Sequence, residues 1–367
     1  MTQPPKKKRQ HFVPQWYLRL FRSNPGEQEP GRARIWTLDK PTMDVRNSRV
    51  HEVASRRNFH DVAVPGDEEM FENLFAEHLE PNFQKIHLGL LRQLQSQGWF
   101  GPETKIKLAP HLVIQHFRTA KGREELRVQA DAVSQAMFQL AQQMKPEFRE
   151  LELRTSIGAG MHMDFTLDLD HVMSMAEQLC RHVWLVARVK DGSRLWTSDA
   201  PLASERRGWG APGASVVFPL DPRHLLHLID RQAARREGLE ELEGHILLLQ
   251  RGGAEYYNLL QLARADRQVF SPNGEFAGAE HLRARHPGLF EPRQSSTTTR
   301  LIPHAEFEPG PEGLTLKRVS DLEPDEQGLP LMDIVVEGTT APLRDLREIA
   351  HAVSADAPAP RRVPRTR

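Results

Sequence analysis

Large apolar residues crowd the stretch from His11 to Phe21, and an alternating run, Arg34-Ile35-Trp36-Thr37-Leu38, stops at Asp39-Lys40-Pro41. Alternation that ends in turn-forming residues predicts a strand, so a small β unit opens the fold. Apolar residues at Phe71, Leu74, Phe75, Leu79, Phe83, Ile86, Leu90 and Leu94 keep the three-and-four spacing of one helix face. Pro81 should kink or divide this stretch, because proline lacks a backbone donor and crowds the preceding turn. Helical spacing returns from about Thr104 to Arg118 and from about Glu124 to Gln143, where Leu126, Val133, Met137 and Leu140 share a side. A further helix, about Leu169 to Arg181, carries Val172, Met173, Ala176 and Leu179, and aspartates before it suit a positive N-terminal end. The middle of the chain, about residues 67–181, therefore reads as a helical layer.

Beyond it the period shortens. Val183 to Val189, then Asp191-Gly192, then Leu195 to Ser198 predicts a hairpin at about 183–198, since Asp-Gly takes the positive φ angles of tight turns. Ser215 to Leu220, His224 to Ile229 and His245 to Gln250 are strand-like, Glu255 to Ala263 is helical, and Arg267 to Phe270 is a short strand. The expected class is α+β: a small N-terminal β unit, a central helical layer, a β-rich second half and a disordered C-terminal tail. The parts are a basic flexible N-terminus at 1–9, one composite domain at 10–305 (β-rich from about 183), a C-terminal extension at 306–355 and the tail at 356–367. The extension holds strand-like pieces such as Leu314-Thr315-Leu316-Lys317, whereas Pro358 to Arg367 has too little apolar content to offset ordering. No long linker separates the helical and β-rich parts, which favours one domain, and no repeat suggests a solenoid or propeller.

Charge narrows the partners. Among 367 residues, 49 Lys and Arg balance 49 Asp and Glu, so no global field gathers polyanions and any basic site must be local. Pro4-Pro5-Lys6-Lys7-Lys8-Arg9 is such a patch, readable as a nucleic-acid contact or as a solvated terminus. The basic run passes straight into mixed sequence rather than an apolar stretch, and no run is long enough to cross a bilayer. A cytoplasmic protein without a membrane partner is expected; oligomeric state stays open. The single cysteine, Cys180, sits among Leu179, Val183 and Trp184, where it reads as a small apolar residue.

The segment His11-Phe12-Val13-Pro14-Gln15-Trp16-Tyr17-Leu18-Arg19-Leu20-Phe21 resembles the opening signature of the bacterial domain-of-unknown-function family 4238, with its histidine, Val-Pro and Tyr-Leu before a phenylalanine. In the same order, Gln115-His116-Phe117-Arg118-Thr119 is similar to the family's mid-chain helix ending in Arg-Thr. Thr197-Ser198-Asp199-Ala200-Pro201 is similar to its Thr-Ser-Asp-Asn-Pro turn, and Phe218-Pro219-Leu220-Asp221-Pro222 and Asn258 continue the match to about residue 275. Ala200 stands where the family usually has asparagine, so an amide there is not essential. The resemblance brings no established activity.

The motif residues nevertheless suggest chemistry. His11, Gln15, Tyr17 and Arg19 bring together an acid/base group, an amide, a phenol and a fixed cation, as phosphate-directed chemistry requires. Asp199 at a strand end could bind a metal or act as base, and Arg118 could neutralise phosphate charge. Against this stand packing by Val13, Pro14, Trp16, Leu18 and Phe21, a turn role for Asp199 and helix-terminal pairing for Arg118. His162, Asp164, Asp168, Asp170 and His171 are ligand types without metal-motif spacing, better read as a loop and a helix cap. His111 and His116, five apart, miss the spacing of a zinc pair. Phosphate loops, nucleophile elbows, His-Glu-x-x-His and Cys-x-x-Cys are missing from the sequence. The leading expectation is a metal-assisted phosphodiester hydrolase, nuclease-like, such as a defence (phage-defence) or toxin-like effector. In it Asp199 holds a divalent metal such as Mg²⁺ or Mn²⁺ or activates water, His11 is the acid/base, Arg118 neutralises charge and Tyr17 orients the substrate. The alternative is a non-catalytic binding or regulatory module, contacting nucleic acid, whose motifs hold the layers together.

Overall fold

The computed structural model describes residues 9–57, 73–128, 165–190, 192–205, 213–250, 252–291 and 342–356, the strands at 298–303, 305–310, 313–319 and 332–337, and a few single positions such as Phe59 and Trp209. The expected tail, His162, Asp164 and most of the helix expected at 124–143 lie outside them. The fold is mixed α+β, with N-terminal sheets, central helices and a β-rich second half.

The opening unit contains β1 (Arg9–His11), α1 (Gln15–Leu18), β2 (Arg34–Asp39), β3 (Asp44–Arg49) and β4 (Ser55–Arg57). β1 and β4 form an antiparallel ribbon, while β3 and β2 form half of a four-stranded sheet. A turn of π-helix at Phe75–Leu79 leads into α2 (Glu80–Gln97), so Pro81 divides the expected stretch from the first turn of α2, where a missing N–H costs nothing. α3 (Pro102–Phe117) and α4 (Leu169–Arg181) complete the described helical layer.

The second half holds β5 (Val183–Arg188), β6 (Thr197–Ser198), β7 (Ala203–Ser204), β8 (Ser215–Asp221), β9 (His224–Ile229), α5 (Arg231–Arg236), β10 (Ile246–Leu248), α6 (Gly253–Arg264), β11 (Gln268–Ser271) and α7 (Ala279–Arg285). Five strands make one sheet in the order β10-β5-β9-β8-β7; β3-β2-β11-β6 make the other. The hairpin expected at 183–198 is not formed. β5 pairs with β9 and β10, while Thr197 and Ser198 cross to β11 in the second sheet. Gly192 still takes a positive φ of 97°, but Asn258 grips the chain on both sides of Leu195 and directs it to the other sheet.

Strand alternation sorts the five-stranded sheet into two cores. Val216, Phe218, Leu220, Leu226 and Leu228 face α1–α4, and Val217 and Leu225 face α6. α6 is buried nearly all round, as a helix between two sheets must be. Further on, β12 (Thr298–Pro303) pairs with β15 (Met332–Glu337) and β13 (Ala305–Gly310) with β14 (Gly313–Val319). α8 (Leu343–Asp356) then buries Leu346, Ile349 and Ala350 in the α6 core. Among the described residues, no helix is long and apolar enough to cross a membrane.

His87 of α2 lies fully buried beside Trp16, Tyr17 and Phe218, with Nε2 2.8 Å from the Leu220 carbonyl. Burial lowers its pKa from 6.5 to about 4, outweighing that bond. The unfolded chain therefore takes up the proton first, so this contribution is complete above about 6.5 and is lost as pH falls towards 4. The melting temperature should drop with acid across that window, and His87→Gln should flatten the drop by up to about 3 kcal/mol in unfolding free energy. An acid slope identical in the variant would overturn this account.

Candidate functional site

The opening motif enters the core as a wedge. Tyr17 stacks on Phe218 with ring centroids 5.1 Å apart, and Trp16 meets Phe83 edge-on at 5.1 Å. The last turn of α3 reads the main chain of the wedge: Gln115 Nε2 donates to the Phe12 carbonyl at 3.0 Å and Arg118 Nη2 to the His11 carbonyl at 2.7 Å. Arg118 also pairs with Glu80 at 2.9 Å and lies 4.3 Å from the Phe75 ring centre. The His11 ring is half-buried, with Nε2 3.1 Å from the His51 carbonyl. Burial holds its pKa down at about 4 against that bond, and the Arg118 charge adds to the lowering.

Tyr17 is 1% exposed, and its hydroxyl is 2.7 Å from both Thr197 Oγ1 and the Pro219 carbonyl, to which it donates. Burial raises its pKa above the ordinary phenol range. Asp199 is 2% exposed. Its carboxylate accepts from the backbone N–H groups of Asp266, Arg267 and Gln268 at 2.9, 2.8 and 2.9 Å. Burial, then repulsion from Asp266, pushes its pKa up to about 7 against those three donors.

His11 and Arg118 thus meet through the main chain of His11, Tyr17 reaches the strand that leads to Asp199, and Asp199 turns to the start of β11. Among the described residues, Asp199 shares no hydrogen bond with the other three, and no three His, Cys, Asp or Glu side chains gather as a metal site. Arg19, half-buried, opens the 3-10 turn (Arg19–Phe21) with which the wedge ends. Asp168 caps α4 by accepting from Asp170 and His171 N–H, as its position before a helix suggests. His111 stacks on Phe83 at 5.5 Å, and Cys180 is half-buried, its thiol pKa raised by burial.

A second polar cluster lies on the α6 face of the five-stranded sheet. Ser215 Oγ is 2.6 Å from His227 Nε2, and His227 Nδ1 is 3.3 Å from the Tyr257 hydroxyl. Tyr256 donates to Glu205 Oε1 at 2.6 Å, and Arg264 donates to the Glu205 carbonyl at 3.3 Å. Arg264 also acts on Glu125, which His116 contacts at 3.0 Å; burial opposes ionisation there, yet His116, Lys121 and Arg264 hold the carboxyl down at about 2. No motif flags these residues in the sequence. The available signal was His227 at an inward position of the strand His224-Leu225-Leu226-His227-Leu228-Ile229.

The geometry gives Tyr17 a structural task. Tyr17→Phe keeps the ring but strips two buried groups of a partner, and should lower unfolding free energy by about 2 kcal/mol without changing the fold. Chemical denaturation measures it; a loss below about 0.5 kcal/mol would contradict the assignment.

No curated protein and no solved structure matches the chain. Residues 9–275 match the family described as "Protein of unknown function (DUF4238)", a span that contains the wedge, the α3 terminus, the 197–201 segment and α6. The chain therefore belongs to the DUF4238 family.

Proposed function

We propose that this protein is a binding or regulatory module that engages nucleic acid through the β1–β4 ribbon, with His11, Tyr17, Arg118 and Asp199 serving as its scaffold. The observation that carries the reading is the register of the ribbon: Arg9 lies directly opposite Arg57, and Gln10 opposite Arg56. All three arginines are exposed. Like charges in facing positions repel and weaken a two-stranded pair, a cost that a bound polyanion removes. Arg56 leans on Asp266 at 2.9 Å and Arg9 donates to the Glu52 carbonyl at 3.0 Å, whereas Arg57 has no carboxylate partner among the described residues. Lys6-Lys7-Lys8 leads directly into Arg9, so sequence and register concentrate charge at one place on a chain of zero net charge. That is the electrostatic footprint of a phosphate-backbone contact.

The rival, a metal-assisted hydrolase built on the same motif, asks Asp199 to turn an oxygen towards Mg²⁺ or Mn²⁺. Its two oxygens already take three backbone donors in a buried setting, which favours the scaffold role.

The test is fluorescence anisotropy with labelled single- and double-stranded DNA and RNA between about 50 and 200 mM salt. Binding should steepen with falling salt, and Arg9→Glu with Arg57→Glu should weaken it at least about tenfold and reduce the log–log salt slope by roughly 2. No binding at low salt, or affinity unchanged in the double variant, would sink the module. Metal-dependent cleavage that disappears in folded His11→Ala and Asp199→Ala variants would restore the hydrolase.

A further inference from the structure

We infer that Ser215 and His227 form a nucleophile–base pair, positioned by Tyr257, that reacts with small acyl esters. This is independent of the nucleic-acid reading, because the pair lies on the α6 face of the sheet and shares no residue with the β1–β4 ribbon.

Register makes the arrangement. β8 and β9 pair antiparallel with Val217 opposite His227 and Ser215 opposite Ile229. Ser215 and His227 are therefore diagonal neighbours on one face, close enough for side chains to meet. Their atoms are 2.6 Å apart, and Tyr257 approaches the other ring nitrogen from α6 at 3.3 Å. A hydroxyl within hydrogen-bond reach of a base that is itself oriented by a third group is the structural signature of an activated nucleophile.

The network fits either tautomer, because the Tyr257 hydroxyl can accept from Nδ1–H or donate to Nδ1. If Ser215 donates to Nε2, that nitrogen carries the lone pair and the proton sits on Nδ1, facing the Tyr257 oxygen as acceptor. This is the form that can take a proton from serine. Burial keeps His227 neutral, with a pKa lowered to about 4. Ser215 is 5% exposed, while His227 and Tyr257 are each half-buried. A buried serine needs only one partner to be satisfied, whereas here three side chains run in line. Beside them Tyr256 and Glu205 form a second polar pair at 2.6 Å.

In the reaction, Ser215 Oγ attacks the ester carbonyl as its proton passes to His227 Nε2. The tetrahedral adduct collapses, the carbon–alkoxy bond breaks, and His227 returns the proton to the leaving alcohol. Water then attacks the acyl-serine through the same base, releasing the carboxylic acid and restoring Ser215.

The probe is an alkyl fluorophosphonate incubated with the full chain, followed by peptide mass spectrometry. The Ser215 oxygen–phosphorus bond should form, fluoride should leave, and one adduct should appear on the Ser215 peptide. Ser215→Ala should abolish it, and His227→Gln should slow it by about a hundredfold. Tyr257→Phe, a positioning variant, should slow labelling less and shift the His227 ring-nitrogen resonances, a readout that loss of packing alone does not produce. A folded wild-type protein that stays unlabelled, an adduct on another residue, or full-speed labelling in folded His227→Gln would overturn the inference. The wild-type arm decides the matter even where a variant fails to fold.

Discussion

The fold depends on satisfying an irregular stretch of buried backbone. Residues 195–203 are all buried, yet within them only Thr197, Ser198 and Ala203 belong to strands. Main-chain groups in such a place need partners, because an unpaired buried amide costs on the order of a whole hydrogen bond. Side chains supply them. Asn258 accepts from the Trp196 N–H at 2.7 Å and donates to the Arg194 carbonyl at 2.9 Å, imitating a neighbouring strand. One turn further along α6, Gln261 donates to the Pro201 carbonyl and accepts from Ser198 Oγ, both at 2.9 Å. Asp199 ties the stretch to the next strand by accepting from Asp266 and Arg267, just before β11, and from Gln268, its first residue. The stretch can then switch from one sheet to the other, and α6 can lie between them.

The N-terminal wedge answers the same demand from the other side. Its own turn is too short to satisfy its carbonyls, so Gln115 and Arg118 do so from α3, while Ala54 pairs with Phe12 N–H at 3.1 Å. Ala54 has φ of 47°, a left-handed conformation costly for a residue with a Cβ. It is held there because its N–H also donates to Gln268 Oε1 at 2.9 Å, next to the Asp199 anchor. Wedge, β4 and β11 are thus tied into one continuous backbone-satisfying system.

That system explains what could be read from the sequence. α4 runs from Leu169 to Arg181 as its spacing indicates, and β8 and β9 follow their alternation, since each is set by local periodicity. The separation of β5 from β6 was not legible, because it is imposed by an amide sixty-odd residues downstream whose partner is main chain rather than a side chain. α8 does carry helical spacing at Leu346, Ile349, Ala350 and Val353, but it follows a stretch rich in Gly, Pro and charge that hides the pattern. For the site residues, side-chain chemistry suggested that His11 and Arg118 come together, and they do. The contact is to the carbonyl of His11, which no reading of residue types distinguishes from a contact to its ring.

A polar motif in a core can therefore mean two different things, and the partner atoms separate them. Gln115, Arg118, Asp199, Asn258 and Gln261 each end on main-chain N–H or C=O groups, which have a fixed protonation state and a fixed place. Such bonds position backbone. Ser215, His227 and Tyr257 instead end on one another, so each bond joins two groups that can exchange a proton, and two of the three remain within reach of solvent. The family motif has the first character, and the cluster that no motif announces has the second. Residue types alone rank them the other way round, because His, Tyr, Arg and Asp look more reactive than a strand serine until their partners are known.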